Sequence, residues 1–199
     1  AASYDEVGRQ IQAHPLSTWV VFDRRAREKY AVGPLYPTAV MPDIAWGGSV
    51  KAVMKKADTL EELAALMEVD VEGLKKTAEK VGRYSETGVD EDFGAGSNSY
   101  DRYYGDPTVK PNPCLAPIAK GPFYAFQIFP GDIGTKGGVD VDVNAQALNE
   151  DGVPIGGLYA TGNTASSVMG RTYPGAGSTI GPAMTFGYVA AKHMMGANN

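Results

Sequence analysis

Tyr173 and Gly177 stand four residues apart in the run Tyr-Pro-Gly-Ala-Gly, directly ahead of a long apolar segment. A phenolic O–H and a backbone N–H with no Cβ beside it can converge there on one oxygen atom. Two such donors suit an oxygen on which negative charge develops, as on a ketone losing a proton from the neighbouring carbon. Each is worth about 3–4 kcal/mol in the transition state, judged from other oxyanion holes. Ser178 or Thr179 is placed to cap the helix predicted next, and Pro182 falls in its first turn, where a missing N–H costs nothing. No acidic residue lies in that turn. A helix N-terminus with free N–H groups and no carboxylate seats a phosphate, a carbonyl or a developing anion. Spacing alone leaves a core helix with a glycine-rich lead-in equally open.

The elements that must position this pair follow from period and caps. Ile180, Met184, Tyr188, Ala191 and Met195 form one apolar stripe, with Phe186 and Val189 off it, so the closing helix is expected to be buried on most sides. Lys192 and His193 complement the macrodipole in its last turn, and Gly196 is placed as its C-cap. Leu158, Tyr159 and Ala160 read as the strand that delivers the chain to the glycine-rich loop. Val139–Val143 reads as an alternating strand, Phe123–Phe129 as a buried one, and Asn149–Gly152 as a turn. Gly134–Gly138 would let backbone approach a ring system closely, or is a plain glycine turn.

Upstream, Ser3 and Glu6 have the form of a capping box, and a helix is predicted from Tyr4 to about Ala13, stopped with the help of Pro15. Tyr4 then sits at the first helical position. A tyrosinate there is favoured by the positive end of the dipole, one route to a phenol acting as a base. The alternative is a ring packed on the core with its hydroxyl at the surface. Thr18–Asp23 predicts a strand and Arg24–Tyr30 a solvated helical turn. The stretch from Val32 to Gly48, with Leu35, Tyr36 and Trp46, predicts an irregular apolar loop. Thr59 and Glu62 form a second capping box, with Leu63, Leu66 and Met67 expected on one side, and Asp70 caps a helix running to about Tyr84. From Gly88 to Cys114 there is little period. Asp90, Glu91 and Asp92 do not have the spacing of a calcium loop and read as a solvated acidic turn. Tyr100, Tyr103 and Tyr104 are candidates for a lid over a substrate.

At 199 residues and 43% apolar content the chain is long enough for one large domain or two small ones. A net charge of −5 without a long charge run argues against nucleic acid as a partner. A single cysteine, Cys114, allows no internal disulfide framework and fits a reducing compartment, so a cytoplasmic location is expected. No apolar run reaches membrane-spanning length. No G-x-G-x-x-G joins a strand to a helix, although a complete dinucleotide-binding unit needs one for the pyrophosphate.

Several runs taken in order point to a family. Asn112–Ile118 reads NPCLAPI, Pro122–Ala125 PFYA, Gly134–Gly138 GTKGG, Gly157–Asn163 GLYATGN, and Tyr173–Ala183 YPGAGSTIGPA. Together they resemble the 3-ketosteroid Δ1-dehydrogenases of the fumarate reductase and 3-ketosteroid dehydrogenase superfamily of FAD-binding flavoproteins. The resemblance implies an α+β fold. Residues 1–122 would be a substrate or cap domain, and 123–199 the C-terminal segment of a Rossmann-like FAD domain whose N-terminal half is absent. The sequence accordingly reads as the C-terminal part of a longer enzyme.

The family's chemistry removes two hydrogens from adjacent carbons beside a ketone. That needs a base, a grip on the carbonyl oxygen and a hydride acceptor, and side chains do not accept hydride. The resemblance implies FAD for the acceptor and a steroid for the substrate. It implies Tyr4 as base and Tyr173 with Gly177 as the grip on the 3-keto oxygen. A flavin would be held by Gly162, Asn163, Ser178, Ile180, Gly181, Pro182 and Ala183. The tyrosine that partners the base in the family belongs to the N-terminal half.

A fumarate-type dicarboxylate reductase is the competing reading. Those enzymes hold carboxylates through a His and an Arg at places occupied here by Gly134 and Tyr173, which removes charge-assisted clamps. His14 and His193 read as structural, and Arg171 stands near the site. A further alternative is a catalytically silent piece that self-associates through exposed apolar surface.

Overall fold

Three short apolar runs pair into an antiparallel sheet in the order β1-β3-β2, where β1 is Trp19–Phe22, β2 Met54–Ala57 and β3 Phe123–Gln127. The computed structural model describes residues 4–14, 18–131 and 134–196, and for residues 4–7 the backbone alone. One compact unit is Ile11–Phe129, and a second joins Ser3–Gln10 to Pro130–Asn199. A helix, α1 (Tyr4–Ala13), forms where its period predicts. Ser3 and Pro15, the expected start and stop signals, lie outside the described residues. β3, beyond the expected domain boundary at 122/123, is the central strand of the first unit.

Alternation along the strands splits that unit's core in two. Val20 faces Phe126 and Phe22 faces Tyr124 across the ladder, so these side chains share one side with Met54, Leu35 and Trp46. The other side carries Ala57, Phe123 and Ala125, covered by Leu63 and Met67 of α4 (Leu60–Met67). Thr59 and Glu62 cap α4 reciprocally, as their spacing requires, and Asp70 accepts from the Gly73 N–H at 2.7 Å to start α5 (Val71–Thr87). Leu66 does not join the buried side. Its helical position turns it away from Leu63, Ala64 and Met67, and it is 48% exposed.

Arg24–Tyr30 differs more from expectation. It forms α2 (Arg24–Lys29), capped by Asp23, and places Arg27 in the interior at 1% exposure. The guanidinium lies 5.8 Å over the Trp46 ring, donates to Asp43 Oδ1 at 3.1 Å, and also donates to the carbonyl oxygens of Tyr36 and Met41. It thereby satisfies two carbonyls of the irregular 32–48 loop, most of whose other backbone bonds are local turns. Asp43 also accepts from Lys56 at 2.6 Å and from the Tyr124 hydroxyl at 2.8 Å. Burial pushes the Asp43 carboxyl up, but hydrogen bonds from Lys56 and Tyr124 and the Arg27 charge bring it below the usual value.

In the first unit α3 (Gly48–Val53), β2 and α6 (Ser99–Tyr104) have no clear sequence signal; α6 begins at an Asn98 cap on the Asp101 N–H. The surrounding stretch is tied instead through Asn112, 2% exposed, which donates to the Gly88 and Ala95 carbonyls at 2.9 Å each. Asp90 accepts from the backbone of Asp92, Phe93 and Ala95, which makes the acidic run a hydrogen-bonded turn.

In the second unit β4 (Gln146–Leu148) and β5 (Pro154–Tyr159) form an antiparallel hairpin, followed by a 3₁₀ turn (Gly162–Thr164) and α7 (Ile180–Met194). Val139–Val143 is not a strand. Asp142 accepts from the Asn144 and Gln146 N–H groups at 2.8 Å and bends the segment, leaving isolated bridges at Val139 and Val141. α7 also departs from expectation: Ala190 is buried, while Ile180, Met184 and Tyr188 are 64%, 69% and 66% exposed. Its predicted stripe faces outward because the helix packs on the 162–164 turn by its other side.

Removing the Arg27 guanidinium leaves a carboxylate and two loop carbonyls without their donor. Arg27→Ala is expected to cost about 3–5 kcal/mol, read as a fall in the denaturation midpoint; an unchanged midpoint would contradict the role. Because the Asp43 carboxyl is depressed in the fold, the stability it contributes is present above about pH 4 and is lost as pH falls through the lower native value. Asp43→Asn should therefore flatten the acid side of a plot of urea midpoint against pH.

Candidate active site

The first turn of α7 is the centre of the second unit's polar chemistry. Thr179 occupies the N-cap position in helical conformation and makes no side-chain cap bond, and Ser178 Oγ donates to the Gly175 carbonyl at 2.6 Å. Gly181 N–H reaches the Gly177 carbonyl at 2.9 Å and Ala183 N–H the Thr179 carbonyl at 3.3 Å. The N–H groups of Gly177, Thr179 and Ile180 have no acceptor among the described residues. The turn carries no acidic residue. Donors and dipole therefore both favour an incoming carbonyl or anion. Gly177 has φ +91, a conformation that side chains rarely adopt, and a Cβ there would meet nothing within 4 Å. It is glycine for its backbone angle rather than for lack of room.

Tyr173 is half-buried, with its hydroxyl 3.5 Å from that of Thr179. Hydrogen bonds with Thr179 and Ser178 hold the phenol below the usual tyrosine range; burial works against them, and the Lys136 charge adds to the lowering. The Lys136 ammonium stands 4.9 Å from the centroid of the Tyr173 ring. Phenol and helix start are thus brought together, with Gly177 in the backbone between them.

The 162–164 turn forms a second wall. Thr161 Oγ1 donates to the Ala183 carbonyl at 3.1 Å, and a Cβ at Gly162 would lie 3.3 Å from the Ala183 Cβ. Asn163 is approached by the 134–138 loop so closely that a Cβ on Gly134 would stand 2.4 Å from Asn163 Nδ2. That loop's glycine is therefore used for contact with the protein's own turn. Gly162, Asn163, Ser178, Ile180, Gly181, Pro182 and Ala183 all belong to this assembly. Tyr4 opens α1 in the same unit, and its side chain lies outside the described residues.

His193 Nδ1 and the Tyr159 hydroxyl are 2.7 Å apart, which fits a structural role. His14 belongs to the first unit, where its carbonyl accepts from Thr18 at 2.8 Å. Arg171 is exposed. Lys136 was not among the expected side chains. The GTKGG run was read for its backbone, and nothing local in it shows where the lysine points. Among the described residues no group of three potential ligands could hold a metal ion, and no helix is long and apolar enough to cross a membrane.

A flavin ring carries carbonyl oxygens on a flat, partly apolar body. Unpaired N–H groups at the α7 start, next to the exposed Ile180 and Met184, have the matching character.

Comparison with known proteins identifies the family. The model of the FAD binding domain family matches residues 1–180. The 3-oxosteroid 1-dehydrogenase of Mycolicibacterium smegmatis is 51% identical over 176 residues, 88% of this chain and 30% of that protein. Its counterpart in Mycobacterium tuberculosis is 48% identical over 179 residues, 90% of this chain and 31% of that protein. The solved 3-ketosteroid Δ1-dehydrogenase from Sterolibacterium denitrificans, in complex with 1,4-androstadiene-3,17-dione, has a TM-score of 0.89 and 46% identity, covering 98% of this chain and 36% of that one. The chain thus spans about a third of the length of these relatives. It is a mixed helix and strand protein of the FAD binding domain family, homologous to the 3-oxosteroid 1-dehydrogenases, and the cofactor of that family is FAD.

Proposed function

We propose that this chain supplies the carbonyl grip and the base of an FAD-dependent enzyme that introduces a C1–C2 double bond into 3-ketosteroids. The observation that carries the reading is the Tyr173 hydroxyl held beside the first turn of α7, which carries no acidic residue and whose Thr179 and Ile180 N–H groups meet no acceptor among the described residues.

Tyr173 Oη and the Gly177 N–H donate to the 3-keto oxygen, drawing electron density from the bond to C2. Tyr4, at the N-terminus of α1, takes the proton from C2, and its charged form is favoured by the positive end of that helix. As the proton leaves, charge collects on the ketone oxygen, and the two donors bind that state more strongly than the ground state. Gly162, Asn163, Ser178 and Ile180–Ala183 would hold FAD, which when bound supplies the hydride-accepting chemistry that the side chains lack. In this reading residues 1–122 serve the substrate and residues 123–199 complete a Rossmann-like FAD domain. A dicarboxylate finds less support, since Gly134, in the place of a carboxylate-binding histidine, packs against Asn163.

In the intact protein Tyr173→Phe is expected to lower steroid turnover about 10²–10³-fold while FAD content is retained. Equal loss of both would mark the tyrosine as structural. Tyr4→Phe is expected to abolish exchange of the substrate's C2 proton with solvent deuterium, and retained exchange would remove it from the mechanism.

A further inference from the structure

We infer that Lys136 is a positioning residue for this reaction, its ammonium held over the Tyr173 ring so that the phenol O–H becomes a stronger donor to the ketone oxygen. This rests on the reading of Tyr173 given above.

The ammonium is 4.9 Å from the ring centroid, within the reach at which a cation is attracted to an aromatic face. The ammonium also lies 3.5 Å from Ser167 Oγ. Ser167 is itself fixed: its N–H donates to the Lys136 carbonyl at 3.1 Å, and its Oγ accepts from the Met169 N–H at 3.2 Å. The loop carrying the lysine is anchored by Val139 N–H on the Thr164 carbonyl at 2.9 Å and by Thr135 Oγ1 on the Gly137 carbonyl at 3.1 Å. A half-buried lysine on a glycine-rich loop gives up side-chain freedom to stay there. Among the described residues no carboxylate pairs with it.

The described groups acting on the phenol are the Thr179 and Ser178 hydroxyls, burial and Lys136, and the hydroxyls and the lysine all favour a polarised O–H. As charge develops on the ketone oxygen, the proton of Tyr173 stays on the phenol but is drawn toward that oxygen, and the ring becomes more electron-rich. A cation over it is then bound more strongly than before. The gain belongs to the transition state, so it is expected in kcat rather than in KM.

The test compares the wild-type holoenzyme with Lys136→Met and with Lys136→Arg, which keeps a cation. Tyrosine labelled with ¹³C at Cζ, with Tyr173→Phe assigning the resonance, follows titration of this phenol by NMR. Lys136→Met is expected to move the titration to higher pH and Lys136→Arg to leave it near wild type. With a 3-ketosteroid, Lys136→Met should lower kcat about fivefold at nearly constant KM, and the alkaline limb of the pH profile should move upward. Lys136→Gln replaces the Met variant if that one fails to fold. An unmoved Tyr173 titration overturns the inference whatever the turnover, as does equal loss of FAD and activity in the Met and Arg variants. If the titration moves but the wild type oxidises no 3-ketosteroid, the lysine–phenol coupling stands and the steroid reading falls.

Discussion

The second unit's candidate site is built on a helix whose Thr179 and Ile180 N–H groups meet no acceptor among the described residues. Such a start is unfavourable unless water or a ligand supplies what the chain does not. Around it the chain places groups of matching character: a polarised phenol, a glycine in left-handed conformation, a lysine charge held one layer back, and no acid in the turn. Each is unremarkable alone. Together they are the groups on which the proposed grip on a ketone oxygen rests.

The first unit answers a different requirement. Its sheet buries both faces, one under α4 and the other under an irregular loop. A helix satisfies its own backbone, whereas a loop needs outside donors. Arg27 supplies them, and the acidic residue that neutralises it, Asp43, is shared with Lys56 and Tyr124. A charged network with a buried guanidinium at its centre ties the loop to the sheet, and removal of Asp43 leaves that buried charge without its carboxylate.

What could be read in advance was mostly local. The Thr59–Glu62 box, the Asp70 cap and α1 depend on residues within a turn of each other, and they formed where spacing placed them. Arg27 could not be read this way, because its partners lie 9 to 16 residues along a segment without period. Alternation at 139–143 misled because side-chain capping by Asp142 bends the backbone out of a ladder. The α7 stripe was correctly identified as apolar, but period alone does not say which side of a helix meets the rest of the chain. In the candidate site, motif spacing brings Tyr173 and Gly177 forward as candidates, whereas the aim of Lys136 depends on the way one loop lies against another.

α7 is fastened to the chain segment beside it at two places, by Thr161 on the Ala183 carbonyl near its start and by Tyr159 on His193 near its end. A beam held at both ends cannot slide along its own axis without breaking one fastening. In the proposed reaction the donors at its tip would keep their aim as charge grew in front of them. Reorientation of dipoles, which in water absorbs much of the energy of creating an anion, would then be largely complete before any anion formed.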